Sequence, residues 1–207
     1  MDDLSDSIIA HVLEPYGFSP SGTLCAQIRS YLELLLAWNK RISLTAVRNP
    51  AEILRFHFGE SLFAASVTPI RSGRLVDVGS GAGFPGLVLA LAVPEIQVLL
   101  IESNAKKAAF LAEAIRTVGV RNASVLRQRL ESLPTELDKL DFVTARAVGC
   151  YDTILRWATA HLSDSGKVML WIGKDAAAQV AHFGGWKWAQ HNIPGSKSRL
   201  LLVSSPS

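Results

Sequence analysis

Leu75-Val76-Asp77-Val78-Gly79-Ser80-Gly81-Ala82-Gly83-Phe84 is the stretch that decides how this chain folds. A short apolar run, residues 74–78, leads into the alternating glycines Gly79, Gly81 and Gly83, and an apolar helix is expected over residues 85–93. Glycine lets a backbone turn tightly and leaves no Cβ between the peptide and a ligand. A helix starting just behind such a turn offers free N–H groups to a carboxylate or phosphate. Many α/β folds need a tight turn at this point, so the glycines alone point only to a nucleoside-containing ligand.

Outward from this loop the texture is that of an open sheet. Strands are expected over residues 96–101, 123–127, 142–145 and 167–172, with a helix over 105–118 closed by Gly119. Residues 186–192 and 199–204 read as a closing antiparallel hairpin. Strand–helix alternation of this kind predicts a mostly parallel α/β sheet covered on both faces. Ligands of such sheets lie outside the carboxyl ends of the strands, which directs attention to the end of the first one. Before residue 71 the chain reads as helical. Residues 5–13 form one amphipathic segment, and Leu24, Ile28, Tyr31, Leu32, Leu35 and Leu36 recur at helical spacing over 24–38. Pro50 sits at the favoured first position of a third helix, which runs through Leu62. We therefore expect an N-terminal helical extension, residues 1–70, packed on a core domain of residues 71–207.

The bulk properties narrow the class. The 207 residues are 49% hydrophobic and 19% charged, enough for a sizeable core. Cys25 and Cys150 are too few for a disulfide framework, and Met1-Asp2-Asp3-Leu4 is no basic leader. The apolar run from Leu87 to Val93 stops at Pro94, far short of a membrane span. A cytoplasmic location is expected. The net charge of +3 and pI near 9.0 point to a polyanionic partner. Lys40, Arg41, Arg48 and Arg55 stand against Glu52 alone between Trp38 and His57, a local basic patch whose plain alternative is a solvated face.

Two details sharpen the loop. The dinucleotide fingerprint requires a third glycine at the position held here by Phe84, and Asp77 stands two residues before Gly79. An acid–x–Gly–x–Gly–x–Gly arrangement resembles the first motif of the class I methyltransferases, whose ligand is S-adenosylmethionine. Glu102 ends the second strand, where a carboxylate can accept both hydroxyls of a ribose. Glu131 follows the third strand, either beside an adenine or as an ordinary acid favoured at a helix N-terminus.

With these residues in place the chain resembles the bacterial RsmG (GidB) guanine-N7 methyltransferases of small-subunit ribosomal RNA over nearly its whole length. The resemblance rests on Leu35-Leu36-Ala37-Trp38-Asn39-Lys40, Leu44-Thr45-Ala46-Val47, His57 with Glu60-Ser61-Leu62, Asp77 to Gly86 with Phe84-Pro85-Gly86, Lys106, Phe110-Leu111, Arg129 with Glu131, and Thr144-Ala145-Arg146-Ala147. It implies a class I, Rossmann-like sheet with S-adenosylmethionine as cofactor and 16S rRNA as substrate, free or within the small subunit, and a chain acting as a monomer. It places cofactor contacts at Gly79, Phe84, Glu102, Ser103, Asn104, Leu130, Glu131 and Arg146, beside Asp77 and Gly81 of the loop. Arg146 is new to the list. It ends the fourth strand, where a guanidinium could grip a carboxylate or phosphate bidentately, and it is the one candidate for a catalytic contact. The chain departs from the family in having Glu60 where an aspartate is usual, Ala109 where a base is common, and Gly173-Lys174 in place of Lys-Gly.

Guanine N7 is a lone-pair acceptor with no proton to lose, so its methylation needs positioning and no general base. The segment Ala145-Arg146-Ala147-Val148 lacks the Pro-Pro-aromatic pattern of amine methylation, and Cys150 lacks the Pro-Cys setting of a cytosine nucleophile and reads as a buried structural residue. Zinc-ligand spacing and a serine triad are absent from the sequence. RNA-contact candidates are Lys40, Arg41, Arg48, Arg55, His57, Lys106 and Lys174, with His57 equally readable as a packed helix histidine. A nicotinamide-dependent oxidoreductase and a non-catalytic RNA-binding protein remain as competing classes. Phe84 argues against the first, and the joint presence of Asp77, Gly79, Glu102 and Arg146 against the second.

Overall fold

The computed structural model describes residues 4–133 and 139–206. Its N-terminal part is built from capped helices. Ser5 accepts the Ile8 N–H ahead of α1 (Asp6–Leu13), Ser21 accepts that of Leu24 ahead of α2 (Gly22–Asn39), and Asn49 accepts those of Ala51 and Glu52 ahead of α3 (Pro50–Ile53). The helix expected from Pro50 is not uniform. It widens into a π-turn over Leu54–Gly59 before α4 (Glu60–Val67), and that irregular turn carries His57.

The remainder alternates as β1 (Gly73–Val78), α5 (Gly86–Ala92), β2 (Ile96–Ile101), α6 (Ala105–Val118), β3 (Ala123–Leu126), β4 (Leu140–Arg146), α7 (Tyr151–His161), β5 (Leu162–Gly173), α8 (Lys174–Ala181), β6 (Trp186–Asn192) and β7 (Arg199–Pro206). The seven strands form one sheet in the order β3-β2-β1-β4-β5-β7-β6. Five are parallel, and β6 and β7 form the antiparallel hairpin at the edge, as expected. The helices α7 and α8 were not foreseen. Cys150 gives α7 no side-chain cap, although Ile154, Leu155, Ala158 and His161 recur at helical spacing and bury one face, and α8 buries only Ala177 and Val180.

Strand order reverses at β1, with β2 on one side and β4 on the other, and this opens a crevice at their carboxyl ends. One sheet face packs with α5, α6 and the N-terminal helices into a single core that joins Ile28, Tyr31, Leu35 and Phe58 to Phe84, Leu111, Trp171 and Leu201. The opposite face buries Val143, Leu170 and Leu202 against Ile154, Leu155 and Val180 of α7 and α8. Among the described residues no helix is long and apolar enough to cross a membrane.

Candidate cofactor and substrate crevice

After Val78 the chain turns left-handed at Gly79, and the Ser80 N–H donates to the Ile101 carbonyl (3.0 Å), tying the loop to the end of β2. Glu102 completes the tie. Its Oε2 accepts the Gly81 N–H (3.0 Å) and its Oε1 the Asn104 N–H (2.7 Å). A carboxylate has about four acceptor positions, so two such bonds leave room for ribose hydroxyls. Ser103 is exposed beside it, while the Asn104 side chain is engaged in capping α6 through the N–H groups of Lys106 and Lys107.

The loop glycines serve different ends. A Cβ on Gly83 would fall 2.1 Å from the Tyr31 hydroxyl, which donates to the Ala82 carbonyl (2.6 Å), so this glycine admits α2 and not a ligand. A Cβ on Gly81 would meet nothing nearer than the Gly79 carbonyl at 3.7 Å. Gly81 is the point where the backbone faces open space, and the expectation of close ligand approach belongs to it.

Asp77 does not reach that space. It is 0% exposed, its Oδ1 accepts the Thr144 hydroxyl (2.7 Å) from the neighbouring position on β4, and its Oδ2 has no partner among the described residues. The expected cofactor contact is corrected accordingly: Asp77 fastens β1 to β4 beneath the loop. Burial pushes its carboxyl up to about 6, against the opposing effect of the Thr144 hydroxyl. Phe84 is likewise interior. Its ring stacks between Tyr31 (5.6 Å) and His57 (4.8 Å) with Phe58 edge-on (5.4 Å), so any ligand contact at this position is through its backbone.

On the other side of β1, Arg146 ends β4 immediately before Ala147, whose φ of 54° turns the chain sharply. Its Nη2 donates to the Phe56 carbonyl (2.7 Å) and to Glu60 Oε2 (2.9 Å), while Nη1 is buried without a partner among the described residues. A bidentate grip through both terminal nitrogens is therefore not open to a ligand, because Nη2 is already engaged. Glu60 is fully buried, also accepts from Arg199 at Oε1, and receives the Trp171 indole N–H on its backbone carbonyl (2.7 Å). Sequence reasoning met Glu60 only as a departure from the usual aspartate, and Arg199 only as the start of a strand. An acid between Phe58 and Leu62 on a core-facing helix was the available signal.

His57 joins this cluster as a neutral ring. Arg146 can only donate, so Nδ1 (3.4 Å from Nη2) is the acceptor, and Nε2–H donates to the Thr45 hydroxyl (2.7 Å). Burial first, then the charges of Arg146 and Arg199, push its pKa down to about 3. His57 thus supplies no positive charge for RNA, because it is packed against Phe84.

Leu130 is buried and Glu131 exposed on a short 3-10 turn after β3. Lys40, Arg41, Arg48, Arg55, Lys106 and Lys174 are all exposed. Arg41 and Lys106 line one groove of about 380 Å³ with Trp38 and Glu113. Arg55 and Arg199 instead both approach the Phe56 ring, at 5.4 and 5.5 Å. Lys174 begins α8, where its N–H donates to the Ser198 carbonyl. Cys150 is exposed, not buried as expected, because it precedes the first turn of α7 at the rim.

This sheet order, with a glycine loop at the reversal point, is the class I S-adenosylmethionine methyltransferase fold. An S-adenosylmethionine-dependent methyltransferase from Aquifex aeolicus has the same fold (TM-score 0.64, 13% identity, covering 77% of this chain and 94% of that one). A putative O-methyltransferase from Klebsiella pneumoniae aligns equally well (TM-score 0.64, 16% identity, 86% and 90% covered). Sequence narrows the class further: residues 24–188 match the GidB family, rRNA small subunit methyltransferase G, and the chain belongs to it. Curated relatives named Ribosomal RNA small subunit methyltransferase G include one from Nitrosomonas europaea (44% identity, over 70% of this chain and 66% of that one). Another, from Chloroflexus aggregans, is 34% identical over 96% of this chain and 89% of its own length.

Proposed function

We propose that this protein transfers the methyl group of S-adenosylmethionine to N7 of a guanine in a loop of 16S rRNA. The observation that carries the reading is the crevice at the strand-order reversal, where the open backbone of Gly81 lies between the Glu102 carboxylate on the β2 side and the unpartnered Nη1 of Arg146 on the β4 side. Two strand spacings, about 10 Å, separate those ends of the sheet. The donor set suits an amino acid nucleoside: Glu102 accepts ribose hydroxyls, Arg146 Nη1 takes a carboxylate, and Leu130-Glu131 lie beside the base. When bound, the cofactor supplies an electrophilic methyl on a sulfonium. The chain's own residues hold the acceptor in line and exclude water.

Among the described residues, the buried ionisable side chains around Arg146 are held in the fold and offer no general base. Asp77 and Glu60 are buried and engaged, and both ring nitrogens of His57 have partners. N7 needs none, and this supports it over acceptors that must lose a proton. The exposed cations Lys40, Arg41, Arg48, Arg55, Lys106 and Lys174 suit a phosphate backbone. We place the protein in the cytoplasm as a monomer, with residues 1–70 an extension on the methyltransferase domain of 71–207. The test is to incubate it with labelled S-adenosylmethionine and either small subunits or protein-free 16S rRNA. Label recovered as 7-methylguanosine at one position is the expected result; label on another atom, or on neither substrate, overturns the reading.

A further inference from the structure

We propose that Glu60 is a positioning residue for Arg146: pinned by Arg199 and Trp171, it orients the guanidinium so that Nη1 alone faces the cofactor carboxylate. The proposal rests on the cofactor reading above. Glu60 bridges three elements that the chain brings together from far apart. Its Oε2 accepts from Arg146 at the end of β4, and its Oε1 from Arg199 at the start of β7. Its backbone carbonyl accepts from Trp171 on β5. Glu60 and Arg146 are 1% and 13% exposed in their side chains, so the pair lies inside the seam between the N-terminal helices and the sheet, where water screens it little.

The bond pattern allows Arg146 one orientation. Phe56 and Glu60 hold Nη2, and His57 accepts on the same nitrogen, while Nη1 has no partner among the described residues. A buried donor without a partner is costly, and a carboxylate arriving there would relieve that cost. Glu60 faces both guanidiniums, Arg146 at Oε2 and Arg199 at Oε1, and the buried Asp77 carboxyl adds a further opposite charge toward Arg146. Lacking the Glu60 charge, the buried Arg146 guanidinium would be left uncompensated beside the half-exposed Arg199, and Arg146 would lose its register.

The test compares Glu60→Gln and Glu60→Asp with the full-length wild type by titration calorimetry with S-adenosylmethionine, kinetics on small subunits, and thermal melting. Glu60→Gln is expected to raise the cofactor Kd and KM on the order of tenfold while kcat at saturating cofactor changes little. Glu60→Asp restores the charge and is expected to recover most of that loss. A merely structural role would lower the melting temperature of both variants and leave Kd unchanged. An unchanged Kd in folded Glu60→Gln, or equal impairment of both variants, overturns the proposal. Should Glu60→Gln fail to fold, Arg199→Gln, at a half-exposed position, takes its place. An increase of about threefold in Kd is then expected, and no change overturns the proposal. Failure of the wild type to bind S-adenosylmethionine would overturn the cofactor reading itself, a distinct result.

Discussion

The glycine loop and the seam beneath the N-terminal helices lie on either side of one crevice, and they are built in opposite ways. The loop is made of backbone: Ser80 and Gly81 donate to Ile101 and Glu102, and the turn is completed by residues about twenty positions away. The seam is made of side chains from distant segments, with Arg146 bonded to Glu60 across 86 residues and Arg199 to Glu60 across 139. The difference teaches where errors arise. A backbone cradle is specified by which residues lack a Cβ, whereas a charge cluster is specified only by which side chains the fold brings together.

Breaking the loop at its acid should have the largest effect. Glu102→Ala removes the acceptor of the Gly81 and Asn104 N–H groups and the proposed ribose anchor together, and calorimetry should show S-adenosylmethionine binding weakened about 100-fold. A loss under threefold would mean that the backbone alone holds the ligand. Next in size is Gly83→Ala, which sets a methyl against the Tyr31 hydroxyl and forces an alanine to a φ of 86°. We expect urea unfolding to register about 2 kcal/mol of destabilisation, with Tyr31→Phe restoring part of it. Strict additivity of the two substitutions would show that loop and seam are not coupled through this contact.

A smaller effect, opposite in sign, is expected beneath the loop. The Asp77 carboxyl is raised from 3.8 to about 6, so between those values the folded chain keeps a proton that the unfolded chain has released. Stability from this group therefore falls as pH rises from about 4 to 6. Asp77→Asn keeps an acceptor for Thr144 and should stabilise the protein above pH 6 by about 1–2 kcal/mol, with no gain below pH 4. His57 works the other way. Its pKa falls from 6.5 to about 3, so its contribution is present above pH 6.5 and is lost as pH falls toward 3. Melting curves at pH 4, 5.5 and 8 for wild type and Asp77→Asn separate the two, and an Asn variant less stable at pH 8 would sink the assignment.

The smallest effects belong to the exposed cations. Lys40→Ala, Arg41→Ala or Lys106→Ala should each weaken RNA binding about threefold and reduce the salt slope by about 1, leaving cofactor affinity unchanged. Equal loss of cofactor affinity in Lys106→Ala would place that lysine on the cofactor side of the crevice.

How far the sequence could be read follows the same division. Strands β1 to β7 and the α2 and α6 helices were legible because period, glycine and proline are local properties, and Gly119 closes α6 where it was expected. Glu102 was legible because its place after β2 is fixed by strand length. The helix α8 was not, since two buried residues leave little period to detect, whereas α7 has an apolar period at Ile154, Leu155 and Ala158 but an uncapped start that gives its boundary no local mark. Asp77 and Phe84 were recognised as marks of the loop, but their sequence neighbours could not disclose that Thr144 and Tyr31 would shut them in.

By itself, then, the sequence determined an α/β sheet, the position of the loop, an excess of positive charge and the family to which the motif belongs. The tertiary structure alone decided that His57 is neutral, that Arg146 has one free edge, and that Glu60 holds two arginines. A turn or a period is written in adjacent residues, but the protonation and orientation of a buried group depend on whatever folding places around it, and those neighbours come from anywhere in the chain.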